Sequence, residues 1–461
     1  MITKNNYSIE KIGAIIILII GIIMSILIPT WQTPDEPTHL AMIGESIKND
    51  KFAKVLEEDL NVKAGRIEFH TDQKINKQEQ KKAMLTKPSY KRGEVLPKGV
   101  TIGIVKHFPA VCGILLGILI GLPTYWVLQL GEMFSLLLYV GVCYGALKYM
   151  PLKKEIMYVI MISPIAIQQA GSIGYDCLVL SLSYFFISYT MYIKFGKETL
   201  ELKDCLLLLI VLGIITYIKV PYIFLGILLV LIPIKKIKIT IHKIVIDDEW
   251  IKRYGIYVIA LIFLIGIIGV YHFRTNRWIQ ILYGMITERG RGIYLLNQTI
   301  KTWHEHLIVS SVGNFGWLDT PILYGNAIAI YIYFIVLAFF NSDENSRIKM
   351  KYLDGMVVYF AFFVLCLMIL LSMINHTIMV VLFGSEQSTE IYNIKEALYQ
   401  IPYIGGLQGR YFLPFLPLLF IPLPTIKRIK QKYVMSIMLT GEFIIYGYVF
   451  FLILKRYWLA L

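Results

Sequence analysis

Charged residues are scarce in this 461-residue chain: only 16% of its residues are Asp, Glu, Lys or Arg, whereas 57% are hydrophobic. Soluble domains usually contain about 25% charged residues, so the composition excludes a soluble enzyme. Aromatic residues make up 13% of the chain and the mean hydropathy is +0.63, which excludes a disordered protein. Apolar runs of about 20 residues recur along the chain and predict one polytopic helical membrane protein.

The sequence also lacks the motifs of several large protein classes. Its five cysteines lie in or beside apolar runs without a Cys-x-x-Cys pair, so we expect neither a disulfide framework nor a zinc site. The net charge of +14 is not arranged in basic clusters with interleaved aromatics, and we expect no nucleic-acid partner. No P-loop, Gly-x-Ser-x-Gly, His-Glu-x-x-His or dinucleotide fingerprint occurs. An activated substrate must therefore arrive ready-made, as lipid-linked substrates do.

Hydropathy predicts about 11 transmembrane helices. The first apolar run, 12–28, follows Lys4 and Lys11 and offers no small-x-small cleavage site. We interpret it as an uncleaved first span in the plasma membrane, with the N-terminus in the cytoplasm. The other predicted spans are 131–149, 155–175, 177–193, 205–219, 221–234, 254–272, 321–340, 355–380, 411–426 and 434–454.

The apolar stretch 108–128 leaves two topologies open, because Pro109 and Pro123 and three glycines interrupt it. If it does not cross the membrane, the short loops rich in Lys and Arg lie inside, as the positive-inside rule requires. If it does cross, the N-terminus is outside and the Lys-rich segment 31–107 is cytoplasmic. The two lysines near the N-terminus favour the first topology.

In that topology residues 1–461 form a single membrane domain with three larger outer segments. Segment 31–130 is the largest, and we expect it to contain a short helix after Pro37 and a juxtamembrane helix at 108–128. The further outer loops are 274–320 and 384–410. The candidate functional residues all fall in these segments or in short turns at the same outer face.

Two adjacent carboxylates, Asp35 and Glu36, follow the first predicted span, and His39 comes one turn later. Such a pair can act as a general base or hold a metal ion at the membrane surface. The alternative is that Asp35 caps the helix that starts near Pro37, because a carboxylate there meets free backbone N–H groups.

Asp176 and Lys219 are further ionisable groups at the predicted outer ends of spans. Asp176 lies in a turn between two spans, where helix capping is the alternative to a catalytic role. An ionisable group at the depth of Lys219 usually has a partner or a function, and snorkelling to the interface is the alternative.

Arg410 lies in a glycine-rich segment before a predicted span, where its guanidinium would form a fixed fork for a phosphate. Arg289 and Arg291, in another outer segment, are candidates of the same type. The alternative for all three is binding of lipid headgroups. Residues expected to line the same substrate cavity are His39, Tyr175, Tyr222, Trp317, Asp319, Gln408 and Tyr411.

Five short motifs together resemble the bacterial family called domain of unknown function 2142. They are Pro34-Asp35-Glu36-Pro37-x-His39, Tyr175-Asp176, Lys219-x-Pro-Tyr222, Gly313-Asn-Phe-Gly-Trp317 and Gln408-Gly-Arg410-Tyr-Phe412. This family in turn resembles the GT-C superfamily of membrane glycosyltransferases, which use polyprenyl-phosphate-linked sugars. Similarity to GT-C implies a catalytic acidic residue in the first outer loop, matching Asp35 with Glu36 beside it. It also implies a second acidic residue in the next outer turn, matching Asp176, and juxtamembrane helices, matching 37–48 and 108–128.

The resemblance therefore predicts an all-α, GT-C-like fold in the bacterial plasma membrane and an inverting glycosyltransferase whose active site faces outside. Its partners would be a polyprenyl-phosphate-linked sugar and a cell-envelope glycan or glycolipid acceptor. Asp35 would be the base, and Glu36 and Asp176 would orient the acceptor or bind a divalent cation. The departing phosphate would be stabilised by Arg410 and by Lys219, Arg291 or Arg289.

A transporter or flippase of lipid-linked precursors is the rival interpretation. The same carboxylates would then bind coupling ions, and the same cations would guide a lipid headgroup. Broken helices near the bilayer midplane and inverted repeats would favour this interpretation.

Overall fold

The computed structural model describes residues 8–459 with gaps at 65–76, 242–243, 256, 258–276, 343–349 and 384–393. The described chain is mostly helical. Its α-helices are α1 (Ile9–Leu27), α2 (Glu36–Ser46), α3 (Phe52–Ala64), α4 (Lys77–Leu85), α5 (Arg92–Val95), α6 (Ile104–Ile120), α7 (Thr124–Tyr149), α8 (Lys154–Met161), α9 (Pro164–Ala170), α10 (Asp176–Phe195), α11 (Leu202–Ile218), α12 (Arg277–Thr287), α13 (Arg289–Val312), α14 (Tyr324–Phe339), α15 (Tyr352–Phe383), α16 (Ile394–Gln400), α17 (Pro417–Phe420) and α18 (Gln431–Tyr457).

Shorter elements connect these helices. Segments of 3₁₀-helix span Val220–Leu231, Ile234–Lys236 and Gly409–Phe415. Six short strands form three separate pairs within the described residues. The pairs of β1 (Ile239–Ile241) with β2 (Ile244–Ile246) and of β3 (Asn314–Phe315) with β4 (Thr320–Pro321) are antiparallel, and the pair of β5 (Phe340–Ser342) with β6 (Lys427–Ile429) is parallel.

Five described helices are long and apolar enough to cross a membrane. They are Ile9–Leu27, Thr124–Tyr149, Asp176–Phe195, Tyr352–Val380 and Lys432–Tyr457. Each coincides with a span predicted from hydropathy, so the prediction of a helical, multi-pass membrane protein is confirmed in this form. The total of 11 spans stays a prediction, and most of the predicted span 254–272 lies outside the described residues.

Three predicted spans are not continuous α-helices, and each contains proline. The segment 155–175 is split between Met161 and Pro164 into α8 and α9, because proline has no backbone N–H and clashes with the preceding turn. The segment 221–234 forms a 3₁₀-helix that starts beside Pro221. The segment 411–426 begins as a 3₁₀-helix that contains Pro414, followed by the four-residue α17.

The stretch 108–128 is divided between α6 and the start of α7, which form a hairpin around Gly121 at φ +76°. Glycines let the two helices approach closely. A Cβ atom at Gly113 would overlap the carbonyl oxygen of Leu130, and one at Gly117 would lie 3.0 Å from Cα of Val127.

Both ends of α6 are tied to the helices that follow α1. Near its start, Nε2 of His107 lies 3.0 Å from Nδ1 of His39 in α2. Just after its end, the hydroxyl of Thr124 donates to Asp59 in α3 at 2.5 Å. The helices from α2 to α5 are too short to span a bilayer, so these contacts fit the topology in which α6 does not cross.

The loops after α1 and before α10 join two apolar cores. The larger core includes Ile28 at the end of α1 and Cys177 at the start of α10. The second core, built mainly from α2, α3, α6 and the start of α7, includes Trp31 and Ile173. Asp35 and Asp176 lie in or beside these loops, which places both carboxylates at the boundary between the two cores.

Candidate functional site

Asp35 occupies the position before α2 but does not cap that helix. Its backbone is left-handed at φ +70°, and its side chain makes no capping hydrogen bond. Left-handed backbone is strained for non-glycine residues, although Asp and Asn tolerate it best. The Asp35 carboxylate instead accepts a hydrogen bond at 3.2 Å from Nη2 of Arg410, 375 residues away in the sequence. The capping alternative for Asp35 is therefore not the observed arrangement.

Arg410 is buried, whereas 58% of the Asp35 side chain is exposed. The Nη1 of Arg410 donates to the side-chain oxygen of Gln169 in α9 at 2.9 Å. Within the described residues its Nε is buried without a hydrogen-bond partner. The preceding residue, Gly409, sits so close to α13 that a Cβ there would overlap the carbonyl oxygen of Leu307. Close backbone packing and Gln169 therefore fix the direction of the guanidinium.

Asp176 and Lys219 form the second ion pair of the site. Nζ of Lys219 lies 2.7 Å from the Asp176 carboxylate, and both side chains are only about one-fifth exposed. Asp176 is the first residue of α10, and Lys219 lies at the break between α11 and the following 3₁₀-helix. Because a charge near the membrane interior is costly without a partner, this pairing satisfies both groups at the end of a membrane helix.

The Tyr411 ring connects the two cations, and the Tyr175 ring packs against Lys219. Nζ of Lys219 lies 4.9 Å from the ring centre of Tyr175 and 5.5 Å from that of Tyr411. The guanidinium of Arg410 lies 5.7 Å from the same Tyr411 ring. Tyr222 fixes this arrangement, because its hydroxyl donates to the carbonyl oxygen of Tyr411 at 2.9 Å. The site therefore combines two cations, two carboxylates and aromatic faces.

A small cavity of about 10 Å³ lies between the two ion pairs, with Gln169, Asp176, Lys219, Tyr222, Arg410 and Tyr411 in its lining. A cavity of this size has room for about one water molecule. The cavity must therefore enlarge before a phosphate group can occupy it.

Glu36 is buried and turned away from this cavity. Its two oxygens accept hydrogen bonds from the backbone N–H of Ile173 at 3.3 Å and of Thr33 at 3.4 Å. Burial raises the pKa of Glu36 to about 7, although backbone hydrogen bonds from Ile173, Thr33 and Trp31 lower it. Glu36 thus links the loop that carries Asp35 to the loop that precedes Asp176, and its predicted role in orienting the acceptor or binding a metal ion stays a prediction.

His39 lies beside the ion pairs and contacts a second histidine. Its ring stands edge-on to Tyr175, with ring centres 4.5 Å apart, and its Nδ1 is hydrogen-bonded to His107. Burial lowers the pKa of His39, while the Asp176 and Asp35 carboxylates oppose this effect. His39 is therefore mainly neutral near pH 7.

The other predicted arginines are placed differently. Arg291 donates to three backbone carbonyls at the end of α16, from Nε to Leu398 at 2.8 Å and from Nη2 to Tyr399 at 3.1 Å and Ile401 at 2.5 Å. These bonds engage the Arg291 guanidinium and hold α13 against α16. Arg289 is exposed at the start of α13.

The remaining predicted cavity residues are only partly brought together. Asp319 forms an ion pair with Arg456 at 2.9 Å, separate from the Arg410 pair. The indole N–H of Trp317 donates to the carbonyl oxygen of Trp31 at 2.7 Å, so this turn supports the loop that carries Asp35. Gln408 is half-buried directly before the 3₁₀-helix that carries Arg410.

Two residues of the site were missed by the reasoning from sequence. Gln169 orients Arg410, and its signal was a pair of glutamines, Gln168 and Gln169, inside an otherwise apolar stretch. His107 contacts His39, and its signal was a lone histidine at the start of the apolar stretch 108–128. Among the residues that the structure describes, no group of three or more His, Cys, Asp or Glu could hold a metal ion. The divalent cation stays a prediction.

These features define a helical, multi-pass integral membrane protein with a cluster of paired charges at the ends of its spans. Residues 18–419 match the model of a family described as predicted membrane protein (DUF2142), and the chain belongs to that family. Neither a curated protein nor a solved structure matches the chain significantly.

Proposed function

We propose that this protein is an inverting membrane glycosyltransferase that moves a sugar from a polyprenyl-phosphate donor to a cell-envelope glycan or glycolipid at the outer face of a bacterial plasma membrane. One observation carries the proposal. Four ionisable residues from distant parts of the chain, Asp35, Asp176, Lys219 and Arg410, converge as two adjacent ion pairs. Transfer from a lipid phosphate requires a base for the acceptor and cations for the leaving phosphate, and this cluster contains both.

Asp35 is the base in this mechanism. The acceptor hydroxyl oxygen attacks the anomeric carbon, the bond from that carbon to the phosphate oxygen breaks, and the hydroxyl proton passes to the Asp35 carboxylate. Attack on the face opposite the phosphate inverts the configuration. The exposure of Asp35 gives an acceptor access to its carboxylate, whereas Asp176 is held on Lys219 and orients the acceptor or a divalent cation.

The donor phosphate binds to Arg410 and Lys219. Because both cations are paired with carboxylates, an incoming phosphate competes with Asp35 for the guanidinium of Arg410. Phosphate and carboxylate present similar oxygens to an arginine fork, so this exchange preserves the charge-assisted hydrogen bonds. It also releases Asp35 to accept a proton, which couples donor binding to activation of the base.

The decisive experiment uses purified protein in nanodiscs, polyprenyl-phosphate sugars and a set of envelope glycolipid acceptors. Asp35→Asn preserves a residue that tolerates left-handed backbone but removes the proton acceptor. We expect the rate of product formation to fall about 10²- to 10⁴-fold. The matched control is Asp50→Asn, which changes an exposed carboxylate just after α2 and should leave the rate unchanged. A well-folded Asp35→Asn variant with the parental rate would remove Asp35 as base.

The phosphate contact has its own test. Arg410→Ala should raise the donor KM and lower kcat, because a buried charged contact to phosphate is lost. Arg410→Lys should recover the effect only in part, because a lysine cannot contact Gln169 and a phosphate with one planar fork. Arg253→Ala is the control on an exposed arginine that is not a candidate for phosphate binding. Unchanged donor kinetics in both Arg410 variants would contradict the assignment.

A transporter or flippase of lipid-linked precursors is the second candidate, and the break between α8 and α9 favours it. Both short helices are buried, and at this break Ser163 Oγ and the side-chain amide of Gln168 have no hydrogen-bond partner within the described residues. Interrupted helices form substrate sites in many transporters. Movement of a fluorescent polyprenyl phosphate across proteoliposomes, without any glycosylated product, would support this candidate over the transferase.

A further inference from the structure

His39 and His107 form a hydrogen-bonded pair that the proposed transfer mechanism does not use. His39 lies on α2 one helical turn after Asp35, and its backbone N–H donates to the Asp35 carbonyl oxygen at 2.9 Å. The Asp35 and Asp176 carboxylates both act electrostatically on the His39 ring, so the ring lies near both ion pairs. Both rings are almost fully buried.

The hydrogen bond between Nδ1 of His39 and Nε2 of His107, 3.0 Å long, fixes the tautomer of each ring. If His39 donated, His107 would carry its proton on Nδ1, which is buried without a partner among the described residues. A buried N–H group without an acceptor is rarer and less favourable than a lone pair without a donor. The favoured arrangement therefore has His107 donating from Nε2, which leaves the proton of His39 on its own Nε2.

The Nε2 edge of His39 faces the loop that precedes Asp176. A Cβ atom at Gly174 would lie 3.6 Å from this nitrogen, so glycine leaves the edge of the ring uncovered. Among the described residues no hydrogen-bond partner of Nε2 is present. Burial lowers the pKa of His39, the cations Lys219 and Arg410 lower it further, and together these effects outweigh the Asp176 and Asp35 carboxylates, which raise it. Its Nε2–H is therefore a neutral donor beside Gly174, at the edge of the site of charged groups.

We propose that His39 donates its Nε2–H to an oxygen of the bound substrate, either a phosphate oxygen or a sugar hydroxyl, and that His107 is the positioning residue that keeps the proton on Nε2. This inference rests on the proposed function for the identity of the substrate. It assigns His39 to substrate binding and leaves Asp35 as the base. The opposite tautomer would make His39 a second base.

Nitrogen NMR of ¹⁵N-histidine-labelled protein in nanodiscs tests the tautomer and the contact without requiring turnover. The His39 signals are assigned by their loss in His39→Gln. We expect a protonated Nε2 and an unprotonated Nδ1. A shift of the Nε2 signal on addition of polyprenyl phosphate identifies a phosphate contact, and a shift only with polyprenyl-phosphate sugar identifies a sugar hydroxyl. An unprotonated Nε2, or no shift with either lipid, would overturn the proposal.

Kinetics provide the second readout. His39→Phe keeps an aromatic ring beside Tyr175 but removes the donor, and we expect the donor KM to rise about two- to tenfold with a smaller change in kcat. His39→Gln should recover part of the affinity, because its amide N–H can replace Nε2–H. His107→Phe should raise KM similarly and abolish the single tautomer in the NMR spectrum. The control is His304→Gln, at a half-exposed site on α13.

The two proposals fail separately. If no sugar is transferred to any acceptor but the His39 signal shifts with polyprenyl phosphate, the transferase is contradicted and the histidine contact stands. If transfer proceeds and a folded His39→Phe variant keeps the parental KM, the histidine contact is contradicted and the transferase stands.

Discussion

Ionisation of Glu36 should make the protein less stable as the pH rises from about 4.5 to about 7. The ordinary pKa of a glutamate is 4.5, and burial raises the pKa of Glu36 in the folded protein to about 7. Between these values the folded state binds more protons than the unfolded state, so stability is lost as the pH increases. A pKa difference from 4.5 to about 7 corresponds to ~3 kcal/mol, complete above pH 7.

Unfolding in mixed detergent micelles, followed by tryptophan fluorescence at pH 5 and pH 8, measures this difference. Glu36→Gln still offers an amide oxygen to the backbone N–H of Ile173 or Thr33 but cannot ionise. We expect the loss of stability between pH 5 and pH 8 to be ~2.5 kcal/mol smaller in Glu36→Gln than in the wild type, because the contribution of this one carboxyl is removed. The control is Glu45→Gln, which changes an exposed carboxylate on the same helix and should keep the wild-type difference.

Glu132 in α7 provides a further control, because it is buried and interacts electrostatically with Glu36. A double variant, Glu36→Gln with Glu132→Gln, removes both carboxyls. The reasoning would be refuted if Glu36→Gln lost as much stability as the wild type between pH 5 and pH 8. The same would follow if the full difference persisted in both the single and the double variant.

Three further predictions concern an ion pair, a helix contact and the topology. Asp176→Asn and Lys219→Met should each lower the free energy of unfolding by about 3–5 kcal/mol, and the double variant should lose clearly less than the sum of the two. Additive losses in this double-mutant cycle would contradict an interaction between the two side chains. Gly113→Ala should cost about 3 kcal/mol in the same assay, because its Cβ would overlap a carbonyl of α7, and an unchanged stability would contradict the close approach of α6. In a cysteine-free background Lys54→Cys should react with an impermeant maleimide in intact cells, whereas Lys203→Cys should react only after permeabilisation. The reverse pattern would show that the membrane topology is the opposite of the predicted one.

Long apolar helices were the part of the fold that the sequence could predict. The predicted spans 177–193, 355–380 and 434–454 fall within α10, α15 and α18, because a continuous apolar run without proline has little alternative to a helix in a membrane. The run 155–175 was predicted as one span, since hydropathy does not register the break at Pro164. Apolarity fixes which residues avoid water, and proline decides where the helix ends.

The residues of the candidate site could be predicted from the sequence, whereas the ion pairs that they form could not. The sequence indicates Asp35 and Asp176 as carboxylates beside predicted spans, Lys219 as a costly charge between two apolar runs, and Arg410 as a cation in a glycine-rich outer segment. Which carboxylate meets which cation depends on packing across the whole chain, as the separation between Asp35 and Arg410 shows. Packing also directs Arg291 to backbone carbonyls at the end of α16. The sequence alone does not distinguish an arginine that pairs with a carboxylate from one that binds backbone carbonyls.

The loop from α1 to α2 holds two left-handed residues, Trp31 at φ +71° and Asp35 at φ +70°. Such a conformation costs about 1–2 kcal/mol for each non-glycine residue. Three hydrogen bonds oppose this strain. The indole of Trp317 donates to the Trp31 carbonyl, the Glu36 carboxyl accepts from the N–H of Thr33, and the Arg410 guanidinium donates to the Asp35 carboxylate. An anion that binds Arg410 in place of Asp35 removes the last of these contacts. The loop therefore stores conformational energy, and under the proposed mechanism part of this energy would help to move the Asp35 carboxylate once a ligand binds the guanidinium.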